Sequence, residues 1–178
     1  MINNFYYYSY LFYSKLRGFI NYNIPDNFET SINEVYPNIY VGNLACIYNT
    51  ELLKKHDIKN VVTAVTGITP PYPESYNYLN LDLIDRFQEE IIDKFTESNQ
   101  FIEKAINNNE KILVHCICGV SRSSTLVIAY LLSKKIGNVE EIIKMLQEKR
   151  DIINPIQNFR NQLELYYAKL NPIEINNE

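Results

Sequence analysis

The stretch Lys111–Leu132, "KILVHCICGVSRSSTLVIAYLL", constrains the fold more than any other part of the chain. "KILVH" is short, apolar and rich in β-formers, as a central strand should be. The loop "HCICGVSRS" follows, with a Cys and an Arg six positions apart. A second apolar run then extends from Ser123 to Ile136. It is apolar nearly all round, which predicts a helix buried in the middle of a domain. Strand, tight loop and helix in this order bring the loop's backbone N–H groups to a helix N-terminus.

The remaining segments alternate in the same manner. "NEVYPNIYVG" predicts two short strands around a Pro-Asn turn, ended by Gly42. "NTELLKKHD" is helical, with Thr50 as candidate N-cap, and "IKNVVTAV" is a buried strand. "TGITPPYPES" is a loop and "YNYLNLDL" alternates as another strand. Residues 91–108 have a helical apolar rhythm, Asn138 and Glu141 match a capping box, and "NPIQNFRNQLELYYAKL" supplies a last helix opened by a Pro. The fold class is therefore α/β: a single domain around a mostly parallel mixed sheet of about five strands, helices on both faces. Residues 32–170 form the domain and 171–178 a tail. Residues 1–31 form an aromatic-rich extension, in which Phe5, Tyr8, Phe12, Leu16 and Phe19 predict a helix over 5–20 before a linker. That helix is expected to pack on the domain, with a partner role, a dimer included, or a membrane-surface role as alternatives. An extension this short leaves no room for a docking domain before the core, so a compact stand-alone unit is expected.

Bulk properties narrow the class of function. A net charge of −4 over 178 residues offers no general attraction to nucleic acid or to an anionic membrane, so any anion must be met by a local site. Three cysteines, unevenly spaced, are too few for a disulfide scaffold and indicate a reducing compartment. Neither a secretory signal nor a window long enough to span a bilayer is present. A cytoplasmic location is expected, with the nucleus also open, and no integral membrane association.

The loop at the helix N-terminus is an anion cradle. Its donors have no partners inside the helix, and the dipole favours negative charge there. Residues Ile117, Cys118, Gly119, Val120 and Ser121 supply the backbone, with Gly119 allowing the dihedrals that a nest of N–H groups needs. Arg122 closes it with a planar fork matched to two phosphate oxygens. Cys116 lies under the anion, and a thiol beside a helix N-terminus and a guanidinium ionises easily. That thiolate is placed for in-line attack on phosphorus, giving a phosphocysteine that water must hydrolyse. Ser123 can donate to the sulfur and make it a better leaving group in the second step. The reaction is phosphate monoester hydrolysis, with no metal or cofactor expected, because Arg122 and the backbone donors meet the charge.

His, Cys, Gly, Arg and Ser at this spacing coincide by chance roughly once in 10⁷ positions, given residue frequencies of a few per cent each. The stretch resembles the dual-specificity branch of the cysteine-based protein tyrosine phosphatases. "VYPNIYVGN", "HDIKNVVTAV" and "INPIQNFRNQL" resemble further segments of that family. The likeness implies its α/β fold, no cofactor, and a phosphoprotein substrate carrying phosphotyrosine and phosphoserine or phosphothreonine, since a shallow cradle admits both. The chain departs where the family usually has Asn and Gly and this sequence has Ile156 and Asn158. Asn tolerates a left-handed conformation, so this departure is expected to touch stability more than catalysis.

A leaving group needs a proton, and Asp82, Asp85 and Asp93 precede the loop. Asp85 follows a strand whose end reaches the same sheet edge as the cradle, and the resemblance implies an acid about thirty residues before the Cys, which aligns with Asp85; Asp82 is the alternative. Ile84 and Arg86 replace the family's small polar neighbours. His115 is expected to support the loop's shape rather than act as a base. His56 is expected on the surface, Cys46 in the core, and Cys118 as a small apolar filler rather than a redox partner. A metal site on His115, Cys116 and Cys118 would lack a fourth ligand and set Arg122 against a cation. Two other readings compete: a phosphate-binding module without turnover, which would need a broken Cys, Arg or acid, and a persulfide-carrying sulfurtransferase, whose loop usually lacks this spacing.

Overall fold

The computed structural model describes residues 29–172. The helix expected over 5–20, any dimer it would form, and the residues from 173 onward lie outside the described residues.

Strand β1 (Ile32–Tyr36) turns back into β2 (Ile39–Gly42), with Asn38 in the left-handed conformation (φ 65°) at the turn. A 3₁₀ turn over Leu44–Tyr48 leads to α1 (Thr50–Lys55). Asn49 caps this helix, its side chain accepting from the Leu52 N–H; Thr50, the expected cap, is already helical. Strand β3 (Ile58–Ala64) and strand β4 (Asn77–Leu81) follow. A 3₁₀ turn over Ile91–Lys94 enters α2 (Phe95–Asn107), and β5 (Lys111–His115) precedes α3 (Arg122–Ser133). Helices α4 (Val139–Gln147) and α5 (Gln157–Leu170) complete the domain.

The sheet has five strands in the order β1-β2-β5-β3-β4, antiparallel only between β1 and β2. Ile112, Leu113, Val114 and His115 of β5 are all buried. Successive side chains on a strand point to opposite faces, so both faces of the sheet are covered. Beyond Lys111 at its start, nothing on the strand needs water, which suits a central position.

Helix α3 packs against β5, β2 and β3 and against α2, α4 and α5. Residues from Arg122 to Leu132 are buried without a break, which matches the all-round apolar pattern. Each of its Leu and Ile side chains contributes roughly 1.5–3 kcal/mol by leaving water. The helix stops at Ser133, three residues short of the expected end: Lys135 adopts φ 56° and Ile136 is partly exposed. The capping box on α4 is present, with Asn138 and Glu141 bonding reciprocally.

Candidate active site

The cradle joins β5 to α3, and its carbonyls are what shape it. The Cys116 carbonyl faces His115 Nδ1 at 3.3 Å, and the Ile117 carbonyl accepts from the Leu44 N–H at 3.0 Å. The Cys118 and Gly119 carbonyls accept from Arg150, through Nη2 at 3.1 Å and Nε at 2.9 Å. The Val120 carbonyl accepts from the Asn154 N–H and the Ser121 carbonyl from the Thr125 N–H, both at 2.9 Å. Every carbonyl from Cys116 to Ser121 is thus tied to the body of the domain. In a trans peptide the next residue's N–H points the opposite way, and no peptide bond here is cis. The N–H groups of residues 117–122 therefore converge on the open side. Gly119, at φ 67°, makes the reversal, and a Cβ there would lie 2.7 Å from the Gly42 carbonyl oxygen.

The Cys116 sulfur sits on that converging side. It accepts from the Gly119 N–H at 3.2 Å and from Ser123 Oγ at 3.3 Å. Burial pushes the thiol up, but the Arg122 charge, the Ser123 hydroxyl, and the Ser123 and Val120 N–H groups outweigh it, so its pKa is lowered from the usual value. Arg122 is buried, and its Nη1 donates to the Leu83 carbonyl at 3.1 Å. Its Nε is buried with no hydrogen-bond partner among the described residues. A buried guanidinium N–H without a partner beside a ring of convergent amides is what an anion site requires.

Asp85 stands at the rim. Its Oδ1 accepts from Ser121 Oγ at 2.9 Å, and its Oδ2 lies 3.9 Å from Arg122 Nε, a charge contact too long for a hydrogen bond. Ser121 Oγ in turn accepts from the Ile156 N–H at 3.1 Å. The other candidate acids, Asp82 and Asp93, are exposed, and the Asp85 carboxylate is the one bonded to the cradle.

His115 is fully buried, and its pKa falls to about 4, chiefly through burial and further through the Arg122 charge. A carbonyl can only accept, so Nδ1 carries the proton and Nε2 accepts from Thr63 Oγ1 at 2.9 Å. Cys118 is exposed, so it is not the small apolar filler expected of it. Cys46 is fully buried, its thiol donating to Asn43 Oδ1 at 3.2 Å. His56 is half-buried, its ring set edge-on to Tyr40.

Arg150 escaped sequence reasoning. In "LQEKRD" it reads as one more solvated charge. The signal that could have marked it is its place after α4, where the residues of the helix facing the core end at Leu146, one turn earlier. Asn158 also behaves differently from expectation. It lies in the first turn of α5, with none of the left-handed character anticipated, and bonds the loop that carries Asp85.

A family model described as "Dual specificity phosphatase, catalytic domain" matches residues 39–169. The chain is similar to dual specificity protein phosphatase 1B of Arabidopsis thaliana, at 30 % identity over 76 % of this chain and 81 % of that protein. It is similar to human dual specificity protein phosphatase 16 at 36 % identity over 76 % of this chain, spanning only 21 % of that longer protein. Among solved structures, the human tyrosine phosphatase-like serine/threonine/tyrosine-interacting protein superposes with a TM-score of 0.73. The two share 30 % identity, over 78 % of this chain and 96 % of that one.

Proposed function

We propose that this chain, which belongs to the dual-specificity phosphatase family, hydrolyses phosphoprotein esters through a phosphocysteine formed on Cys116. The chain is a protein phosphatase by family, of the class that acts on phosphotyrosine and on phosphoserine or phosphothreonine. The residue roles are our reading, and residues 32–170 are its catalytic unit. The observation that carries it is the Cys116 sulfur under convergent donors, one residue chain away from an acid tethered to the same loop.

In the first step the thiolate attacks phosphorus opposite the leaving oxygen. The N–H groups of residues 117–122 and the Arg122 fork hold the three equatorial oxygens, whose charge grows as the bond breaks. Asp85 gives its proton to the departing phenolate or alkoxide. A water then attacks the phosphocysteine, Asp85 takes that water's proton, and the sulfur leaves as a thiolate supported by the Ser123 hydroxyl. Inorganic phosphate is released and each group returns to its starting state. His115 acts as a prop: neutral, buried, and occupied on both ring nitrogens.

No helix among the described residues is long and apolar enough to cross a membrane. All three cysteines are free, which supports work in the reducing cytoplasm or nucleus. A second reading is a phosphate-binding module without turnover; it is favoured by one structural neighbour, described as a phosphatase-like and interacting protein.

Hydrolysis of para-nitrophenyl phosphate and of phosphopeptides separates the two. Turnover without added metal, inhibition by vanadate, abolition in Cys116→Ser and a fall of about 10²-fold in Asp85→Ala are expected. Binding of phosphopeptides with no turnover by the unmodified protein would establish the module instead.

A further inference from the structure

Asp85 is followed by an exposed run, Arg86 to Gln88. Internally it has two turn contacts, the Arg86 N–H to the Ile84 carbonyl at 3.0 Å and the Glu89 N–H to the Arg86 carbonyl at 3.2 Å. It also has an ion pair of Arg86 Nε with Glu89 at 3.5 Å, exposed on the arginine side and worth little in water. What fixes it to the domain is one face of α5. Asn158 Nδ2 donates to the Glu89 carbonyl at 2.8 Å and reaches the Arg86 carbonyl at 3.4 Å. Gln162, one turn on, donates to the same Glu89 carbonyl at 2.8 Å and accepts from the Ile92 N–H at 2.9 Å. The helix behind them is anchored by Phe159 and Leu163, both fully buried.

The same helix touches the acid from its other side. The Ile156 N–H holds the Ser121 hydroxyl, and that hydroxyl holds Asp85. The start of α5 therefore grips the carboxylate through the cradle and the following peptide through Asn158. Gln162 secures the far end of the loop, but Asn158 alone of the two reaches the Arg86 carbonyl next to the acid. A carboxylate displaced by about 1 Å from its working position can lose up to 10²-fold in rate.

We propose that Asn158 is a positioning residue that holds the Asp85 loop at its working distance from Cys116; the inference rests on the phosphatase reading above. It revises the expectation that the substitution at this position concerns stability.

The test uses the leaving group as a probe. An acid matters most when the departing oxygen is a strong base and hardly at all when it is a weak one. For Asn158→Ala and the isosteric Asn158→Asp, which cannot donate, turnover of phenyl phosphate and of a phosphoserine peptide should fall about tenfold. Turnover of dinitrophenyl phosphate should change less than about twofold. Alkylation of Cys116 by iodoacetate should keep its rate, and Asn158→Ala should add no further loss in an Asp85→Ala background. Equal losses for every leaving group, an undiminished loss without Asp85, or no loss at all would each overturn the proposal. Complete absence of hydrolysis by the unmodified protein, with any ester, would instead remove the phosphatase reading on which it stands.

Discussion

Arg150 Nε donates to the Gly119 carbonyl at 2.9 Å, tying the glycine at the turn of the cradle to the segment that follows α4. The same guanidinium reaches the Cys118 carbonyl through Nη2, and through Nη1 both Ser31 Oγ and Asn33 Oδ1 at 2.7 Å. It joins the strand that opens the sheet to the cradle loop. Its fork matters more than its charge, because four separate acceptors are served from one plane.

Arg150→Lys keeps a positive charge but cannot serve them all. The Cys118 or Gly119 carbonyl is then released, and the following N–H turns away from the anion. Affinity for vanadate and kcat/KM for every ester should fall on the order of tenfold or more, because a cradle donor is lost. Unlike the Asn158 variants, the loss should be the same for all leaving groups. A variant with unchanged vanadate affinity would show that the loop keeps its shape without the arginine.

The ionisation of Cys116 gives a second prediction. Its pKa is lowered although burial acts the other way, so the balance depends on Arg122 and Ser123. Alkylation by iodoacetate should have its midpoint below that of a free thiol, about 8.5. Ser123→Ala should move the midpoint upward by removing a bond to the thiolate, and should slow hydrolysis of the phosphocysteine more than its formation. A burst of nitrophenol from Ser123→Ala in a stopped-flow trace is the expected sign. A midpoint near 8.5 in the unmodified protein would exclude a resting thiolate.

Gly119→Ala supplies a third. The position combines φ 67° with a Cβ that would lie 2.7 Å from the Gly42 carbonyl oxygen and 2.8 Å from Arg150 Nη2. Neither the strand backbone nor a buried guanidinium can step aside cheaply. The left-handed strain alone costs about 1–3 kcal/mol, and the clash adds to it. A fall in the denaturant midpoint with loss of phosphate binding is expected. Gly67→Ala is the control: it shares a positive φ, 77°, but meets nothing within 4 Å. It should lose stability through strain alone and keep its activity.

The cradle was legible in the sequence because its parts are contiguous. Cys116, Gly119, Arg122 and Ser123 lie within eight residues, and a strand and a helix flank them in an order that leaves the loop little choice. The sheet was legible for a related reason, since runs such as "KILVH" and "IKNVVTA" have no polar face to misplace. What supports the cradle was not. Arg150 and Asn154 lie some thirty residues further on, and only tertiary folding brings them behind it. The end of α3 was overestimated because no breaker precedes Gly137; the helix stops instead where Lys134 and Lys135 leave the core. Asn158 was read as a backbone substitution, whereas its side chain is what makes the contacts with the loop after Asp85.

His115 makes the last prediction, through pH. Burial holds its pKa at about 4 against an ordinary 6.5, the Arg122 charge lowers it further, and the Cys116 carbonyl partly opposes them. Between these two values the unfolded chain takes up a proton that the folded protein refuses, so unfolding binds protons and stability rises with pH. The contribution is fully present above pH 6.5 and is lost as pH falls toward 4, to a total of about 3 kcal/mol. His115→Asn removes the titrating ring and retains a neutral polar side chain toward Thr63. At pH 7.5 the variant should be the less stable of the two, since it loses packing and a hydrogen bond. As pH falls to 4.5 the gap between the two denaturant midpoints should narrow, because only the unmodified protein carries the proton penalty. A gap that stays constant across this range would mean that His115 takes up its proton in the folded state as readily as in the unfolded one.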